Sequence, residues 1–229
     1  MLVDLTVVGV GVEGCLAAAR AAVKEGKKVL CVGRVGERYG GQHATVKGYD
    51  HVPLLLNPNG QLAKDLIDLH AAEHIQFMPV DSITVITNDG HIKVPFKKEH
   101  VMLDPSISLP DKRRLMSLMT EPKDGNVDER SCAYTWLQSL QLSDKVVKMI
   151  MYGICMIDSE DSLSCMTVND LLDQLSLFAR SLPQPLLYPV YGSSEVAQAL
   201  TRVAAVHGAL QILDQPSSTQ IIYDKRVVT

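Results

Sequence analysis

Leu5-Thr-Val-Val8, then Gly9-Val-Gly11-Val-Glu-Gly14, then an alanine-rich run from Cys15 to Lys24, then Val29-Leu-Cys-Val32: this opening stretch decides the fold. A short apolar run, a glycine turn, an apolar helix and a second apolar run make one βαβ unit, which implies a parallel sheet. In such a unit Gly9 makes the tight turn, Gly11 lets an anion approach the backbone, and Gly14 allows close helix–strand packing. The helix start then faces the anion. A working dinucleotide site also needs a carboxylate at the end of the second strand to hold the ribose hydroxyls. Gly33 and Arg34 stand there instead. Glu37 follows in a loop without a fixed reach, so the fold is read as retained and the cofactor as lost.

Working outward, Gln61 to Ala72 reads as a helix with a core stripe of Leu62, Leu66, Ile67 and Leu69. Ser82 to Thr87 and His91 to Pro95 are richer in β-branched residues, and Asn88-Asp89-Gly90 between them is a hairpin signal. From Asp104 to Leu187 the texture is helical, broken by Pro110, Pro122 to Gly125 and Pro183-Gln-Pro185. Asp111 opens one helix, Ser143-Asp144 caps another running to about Met156, and Thr167 to Asp170 opens a third ending near Arg180. Leu186 to Val190 reads as extended, Ser194 to His207 as a helix, and Gln211 to Ile222 as a pair of strands. The expectation is an α/β protein: a Rossmann-like domain over 1–103 and 188–229, with a helical insertion at 104–187.

The 229 residues carry a net charge of −4 and hydrophobic content of 46%, which fits a globular chain and gives no footprint for nucleic acid. No apolar run spans a bilayer and no signal peptide is evident, so a cytoplasmic location is expected. The five cysteines are scattered without a CxxC pair, which argues against disulfides and structural zinc. His70 and His74 are one helical turn apart but lack the HExxH order, and they read as surface histidines. No catalytic constellation is suggested, so no enzyme is expected.

Several collinear segments resemble the Rab GDP-dissociation inhibitor and Rab escort protein superfamily. They are Gly9-x-Gly11, Gly26 to Leu30, Tyr39-Gly40-Gly41, Asn59-Gly-Gln-Leu62 with Lys64, Asp89-Gly90, Lys93-Val-Pro95 and Lys112-Arg-Arg114. Ala179-Arg180 with Pro185-Leu-Leu-Tyr-Pro-Val-Tyr-Gly192, then Glu195, Gln198, Arg202 and Gly208, carries the resemblance furthest. The chain departs from the family pattern in a shorter loop between Gly41 and Asn59 and in Ser193-Ser194 and Val196-Ala197 around Glu195. It also ends at Thr229, so a short or truncated member is expected.

The resemblance implies an FAD-type fold without FAD or another cofactor: Gly9, Gly11, Gly14, Gly40 and Gly41 are then a vestigial dinucleotide motif. It implies a partner, the prenylated Rab GTPase in its GDP state, whose GDP dissociation is inhibited and whose geranylgeranyl chain is shielded during membrane delivery and retrieval. Membrane contact would be transient, through the Rab. Rab geranylgeranyl transferase would be a further partner on the escort branch, which the Ser/Glu-rich Ile157 to Ser162 favours.

Tyr39, Glu195 and Arg202 correspond to positions that contact the GTPase, Glu195 and Arg202 lying two turns apart on one helix face. Arg180 and Tyr188 flank the proline turn; Arg180 either reaches the GTPase or bonds the carbonyls at its helix end. The Met-rich run through Met151, Ile154 and Met156, with a stripe through Leu171, Leu172, Leu175, Leu177 and Phe178, is expected to hold the prenyl chain or to be ordinary core. The competing function is an FAD-dependent oxidoreductase of the amine-oxidase type.

Overall fold

The computed structural model describes residues 3–50, 52–88, 90–95, 98–120, 131–157, 159–181, 186–215 and 227–228. Two compact units emerge, one made of Met1–Leu56, Gly60–Pro79 and Leu187–Thr229, the other of Asn57–Asn59 and Val80–Leu186.

In the first unit β1 (Leu5–Val8), β2 (Val29–Arg34), β9 (Leu210–Gln215) and β10 (Val227–Val228) form a parallel sheet in the order β10-β1-β2-β9. Leu5 pairs with Val29 and Leu30 with Leu210. Every β2 residue from Val29 to Gly33 is buried, as expected of a central parallel strand that is apolar throughout rather than alternating. The crossover α1 (Val12–Glu25) packs on α9 (Ser194–Val206). Ala18, Ala19 and Ala22 of α1 and Ala197, Leu200 and Ala204 of α9 are buried in the same core cluster, the small side chains letting the two helices approach closely. Truncating the fully buried Leu200 to Ala would cost about 2–5 kcal/mol.

Smaller pieces complete this unit: the hairpin β3 (Thr45–Val46) and β4 (Tyr49–Asp50), helix α2 (Gln61–Asp68), and β5 (Phe77–Pro79) paired antiparallel with β8 (Leu187–Pro189). Helix α2 stops short of the expected Ala72 because His70 turns left-handed at φ 57. Leu66 and Leu69 are core, but Ile67 is 64% exposed. His70 and His74 therefore do not share a helix; the His70 ring meets Glu73 at 2.9 Å. The second strand expected before Ile222 lies outside the described residues.

The second unit holds the antiparallel hairpin β6 (Ile83–Thr87) and β7 (Gly90–Val94) and the helices α3 (Lys98–Leu103), α4 (Leu109–Thr120), α5 (Ala133–Ser139), α6 (Asp144–Lys148), α7 (Glu160–Cys165) and α8 (Val168–Ser181). Texture alone put the boundary at Asp104; the structure puts it at Val80. The reason is the inner face of the hairpin, Val85, Ile92 and Val94, which is buried. A π-helical turn, Met149–Ile154, continues α6 and covers that face. A Cβ on Gly153 there would collide with Val94 and crowd Val85.

Thr167 caps α8 as expected: the Asp170 N–H donates to Thr167 Oγ1 at 3.2 Å, and the Thr167 hydroxyl donates to Asp170 at 2.6 Å. Ser143 is the N-cap of α6 but makes no side-chain cap bond; its N–H donates to Asp111 Oδ1. The breaks expected at Pro122 to Gly125 and at Pro183 to Pro185, and Asp89 of the hairpin turn, lie outside the described residues.

Candidate functional site

The glycine loop has the geometry its sequence announces. Gly9 sits at φ 108, and its N–H donates to the Val32 carbonyl at 2.8 Å. A Cβ on Gly14 would stand 2.6 Å from the Gly9 carbonyl oxygen, so the close approach of α1 to the loop requires glycine. Gly11 caps α1 without a side-chain bond, and a Cβ there would meet nothing within 4 Å. Gly40 and Gly41, at φ 96 and 58, lie against this loop: the Gly40 N–H donates to Val10 O at 2.9 Å, and a Cβ on Gly41 would come 3.3 Å from the Gly11 Cα. Both glycine pairs therefore belong to one site.

That site lacks a carboxylate at the end of β2. At the place of the ribose-binding carboxylate stands Gly33, where a Cβ would meet the end of the half-exposed Leu213 side chain at 2.9 Å. Glu37 has a fixed reach after all, against the sequence expectation: its carboxylate accepts from Val10 N at 3.0 Å and from Arg34 N at 2.9 Å. The chain's own carboxylate thus holds the loop N–H at Val10. Beside the loop lies a cleft of about 590 Å³ lined by Val12, Glu13, Leu16, Leu54 and Leu62, with Gln42 and His43 at the Gly40–Gly41 turn. Sequence reasoning missed Glu13, Gln42 and His43; their adjacency to the two glycine pairs is the signal that could have found them.

Tyr39 faces inward. Its ring packs against the core, and its hydroxyl donates to Gln211, whose amide donates to the Thr201 carbonyl at 3.1 Å. Thr201 in turn donates to Cys15 Sγ at 3.3 Å. Burial, with the nearby Cys15 and Cys31 thiols, pushes the Tyr39 hydroxyl up from its usual range.

Tyr188 belongs to a second, unforeseen cluster centred on Asp50. The Asp50 carboxylate accepts from Tyr188 OH at 2.6 Å, from Thr45 Oγ1 at 2.5 Å, from Ser193 N at 3.0 Å and from the Ser193 hydroxyl. Burial pushes the Asp50 carboxyl up, but the hydrogen bonds from Ser193, Thr45 and Tyr188 outweigh it and hold it below the usual carboxylate range. The bond to Asp50, and then burial, push Tyr188 up to about 12. Gly192, at φ 102, must be glycine, because a Cβ would run into Thr45 and Asp50. The cluster thus ties the β3–β4 hairpin and β8 to the start of α9.

On α9 itself Glu195 is half-buried and accepts from the Tyr191 N–H at 3.3 Å. Arg202 is exposed. Arg180 stands in the last turn of α8, and its side chain lies outside the described residues.

In the helical unit Met151, Ile154 and Leu175 are at most 5% exposed, while Met156 is 47% exposed at φ 53. Leu171, Leu172, Leu175 and Phe178 are core; Leu177 points out at 56% exposure. The Met-rich turn is therefore closed packing in this structure. Among the described residues there is no group of side chains that could hold a metal ion, and no helix long and apolar enough to cross a membrane.

A match to the family "GDP dissociation inhibitor" spans residues 47–229. The chain belongs to that family. The match takes in Asp50, Tyr188, Glu195 and Arg202 and begins after the glycine loop and Tyr39. A similar relative is the Rab GDP dissociation inhibitor beta of Canis lupus familiaris, 24% identical over 98% of this chain and 59% of that protein. Among solved structures, the Rab GDI of Plasmodium falciparum covers 91% of this chain, with 57% of its own length matched, at a TM-score of 0.64 and 17% identity. An oxidoreductase of Methanosarcina mazei covers 93%, with 51% of its own length matched, at a TM-score of 0.63 and 20% identity. These two likenesses establish the Rossmann-like α/β fold. The chain spans less than three fifths of the length of the curated relatives it matches.

Proposed function

We propose that this chain is a Rab-binding regulator that takes up GDP-loaded, prenylated Rab GTPases, slows GDP release and shields the geranylgeranyl chain, without catalysis. Family membership over residues 47–229 carries this reading, and relatives named as Rab GDP dissociation inhibitors support it. The Rossmann-like unit supplies the GTPase-facing surface, with Glu195 and Arg202 of α9 as contacts; Arg180 of α8 would be a contact made by the helical unit. Tyr39 and Tyr188 act in the Rossmann-like unit by fixing the segments that carry the surface, since both hydroxyls turn inward. The helical unit receives the lipid by parting the closed packing around Met151, Ile154 and Leu175, with Met156 at its edge; methionine repacks easily. Burying a twenty-carbon prenyl chain contributes roughly 10 kcal/mol or more, at about 0.8 kcal/mol per methylene, toward opening such a core. The protein then works in the cytoplasm and meets membranes through its Rab. Presentation of new Rabs to the geranylgeranyl transferase is the escort-type extension of the same activity.

The test is release of labelled GDP from a prenylated Rab, together with extraction of that Rab from liposomes. Slower release and extraction by the wild-type chain support the reading, and Glu195→Ala and Arg202→Ala should each weaken binding by about 1–3 kcal/mol. No effect on either measurement, with stoichiometric flavin absorbance in the purified protein, would overturn it in favour of the oxidoreductase.

A further inference from the structure

We infer that the cleft beside the glycine loop is a binding site for a primary alkylammonium group on an apolar stem, and not for a nucleotide. The two features by which such a loop holds pyrophosphate are a free backbone donor and an uncompensated helix start. Here the chain's own carboxylates stand at both. The Val10 N–H is held by the Glu37 carboxylate at 3.0 Å. Glu13 stands in the first turn of α1 and lines the cleft, exposed and with no hydrogen bond or ion pair to a described residue.

The remaining polar side chains of the rim are Gln42 and His43. His43 donates through Nδ1 to the Val52 carbonyl at 2.8 Å, since a carbonyl can only accept. Its Nε2 meets the Gln42 amide at 3.3 Å. No lysine or arginine is among the lining residues. The opposite wall, Leu16, Leu54 and Leu62, is hydrocarbon. A dianionic pyrophosphate would bring like charge against Glu13 in a partly enclosed space, where it is screened less than in water. A cation with a hydrocarbon stem satisfies Glu13 and buries its stem against the leucines. Gly11 keeps the space open, because its Cβ direction is empty and its φ of −65 would suit any residue.

The inference is independent of the Rab reading, and its test uses no Rab. Titration calorimetry on the full chain compares hexylammonium, representing a free amine, and Nα-acetyl-lysine amide, representing a lysine of a polypeptide, with hexanol and FAD. At least one ammonium probe should bind at least tenfold more tightly than hexanol, the better probe naming the source, while FAD does not bind. Glu13→Gln should erase the preference over hexanol, and Leu62→Trp should abolish binding by filling the cleft. If Leu62→Trp does not fold, Gly11→Ala carries the same test, with an expected loss of at least fivefold. Equal binding of hexanol, an undiminished preference in Glu13→Gln, tight FAD binding, or no ammonium binding at millimolar concentration would each overturn the proposal.

Discussion

Helices α1 and α9 pack against each other in one unit, and they begin in opposite ways. Helix α1 opens from Gly11 with no side-chain cap and a cleft in front of it. Helix α9 opens at Ser193, whose N–H and hydroxyl are both held by Asp50, 143 residues earlier in the chain. A helix start favours an anion in either case. What differs is who supplies it. At α9 the chain closes the start with its own carboxylate and makes it part of the scaffold. At α1 a carboxylate takes the neighbouring loop donor and leaves the start open. A helix start thus acquires its role from a distant segment, not from the residues that cap it.

The largest expected effect is at the closed start. Asp50→Asn removes the charge that four donors share and should cost about 3 kcal/mol, at the upper end for hydrogen bonds to a charged group; a chemical-denaturation midpoint measures it. The same carboxyl gives a pH signature. Its folded value is depressed, so its stabilisation is complete above the unfolded value of about 3.9 and is lost as pH falls through the folded value. Wild-type stability should fall below about pH 4 by more than that of Asp50→Asn. Parallel pH curves would show that the cluster does not hold α9.

Gly14→Ala should cost about 2 kcal/mol, because overpacking against the Gly9 carbonyl outweighs the gain of about 1 kcal/mol in helix propensity. A neutral or stabilising result would mean that the open start is pliable, and the contrast with α9 would lose its basis. Smallest of all, Arg202→Ala should change stability by no more than about 0.5 kcal/mol, since the side chain is exposed. A larger loss of melting temperature would make Arg202 part of the scaffold rather than a contact surface.

The open start was legible in the sequence because its parts are adjacent: strand, glycines and helix fall within residues 5–32 and set each other's geometry. The closed start was not. Its donors, Thr45, Tyr188 and Ser193, and its acceptor, Asp50, come from separate segments, and no local pattern distinguishes Asp50 from any loop aspartate. Glu37 escaped for a related reason, since the turn that aims it back at Val10 depends on Gly36 and Gly40 at positive φ. The hairpin at 83–94 was legible as a hairpin, but not its allegiance, which is decided by the π-helical turn that buries Val85 and Val94. The methionine and leucine stripes marked burial correctly at Met151, Ile154, Leu171 and Leu175, and failed at Met156, which leaves the π-helical turn at positive φ, and at Leu177, which lies inside α8 but off its buried face.

The parallel sheet also sets a timetable for the chain's synthesis. Strands β1 and β2 leave the ribosome early, yet the partner of β2 is Leu210–Gln215. At about 5–20 residues per second, the β2 edge stays unpaired for roughly 10–35 s. The helical unit, almost entirely one run from Val80 to Leu186, emerges whole within that interval. The guest can therefore complete its fold before the host sheet can close, and the exposed Val29-Leu-Cys-Val32 edge is the place where a nascent chain is open to mispairing.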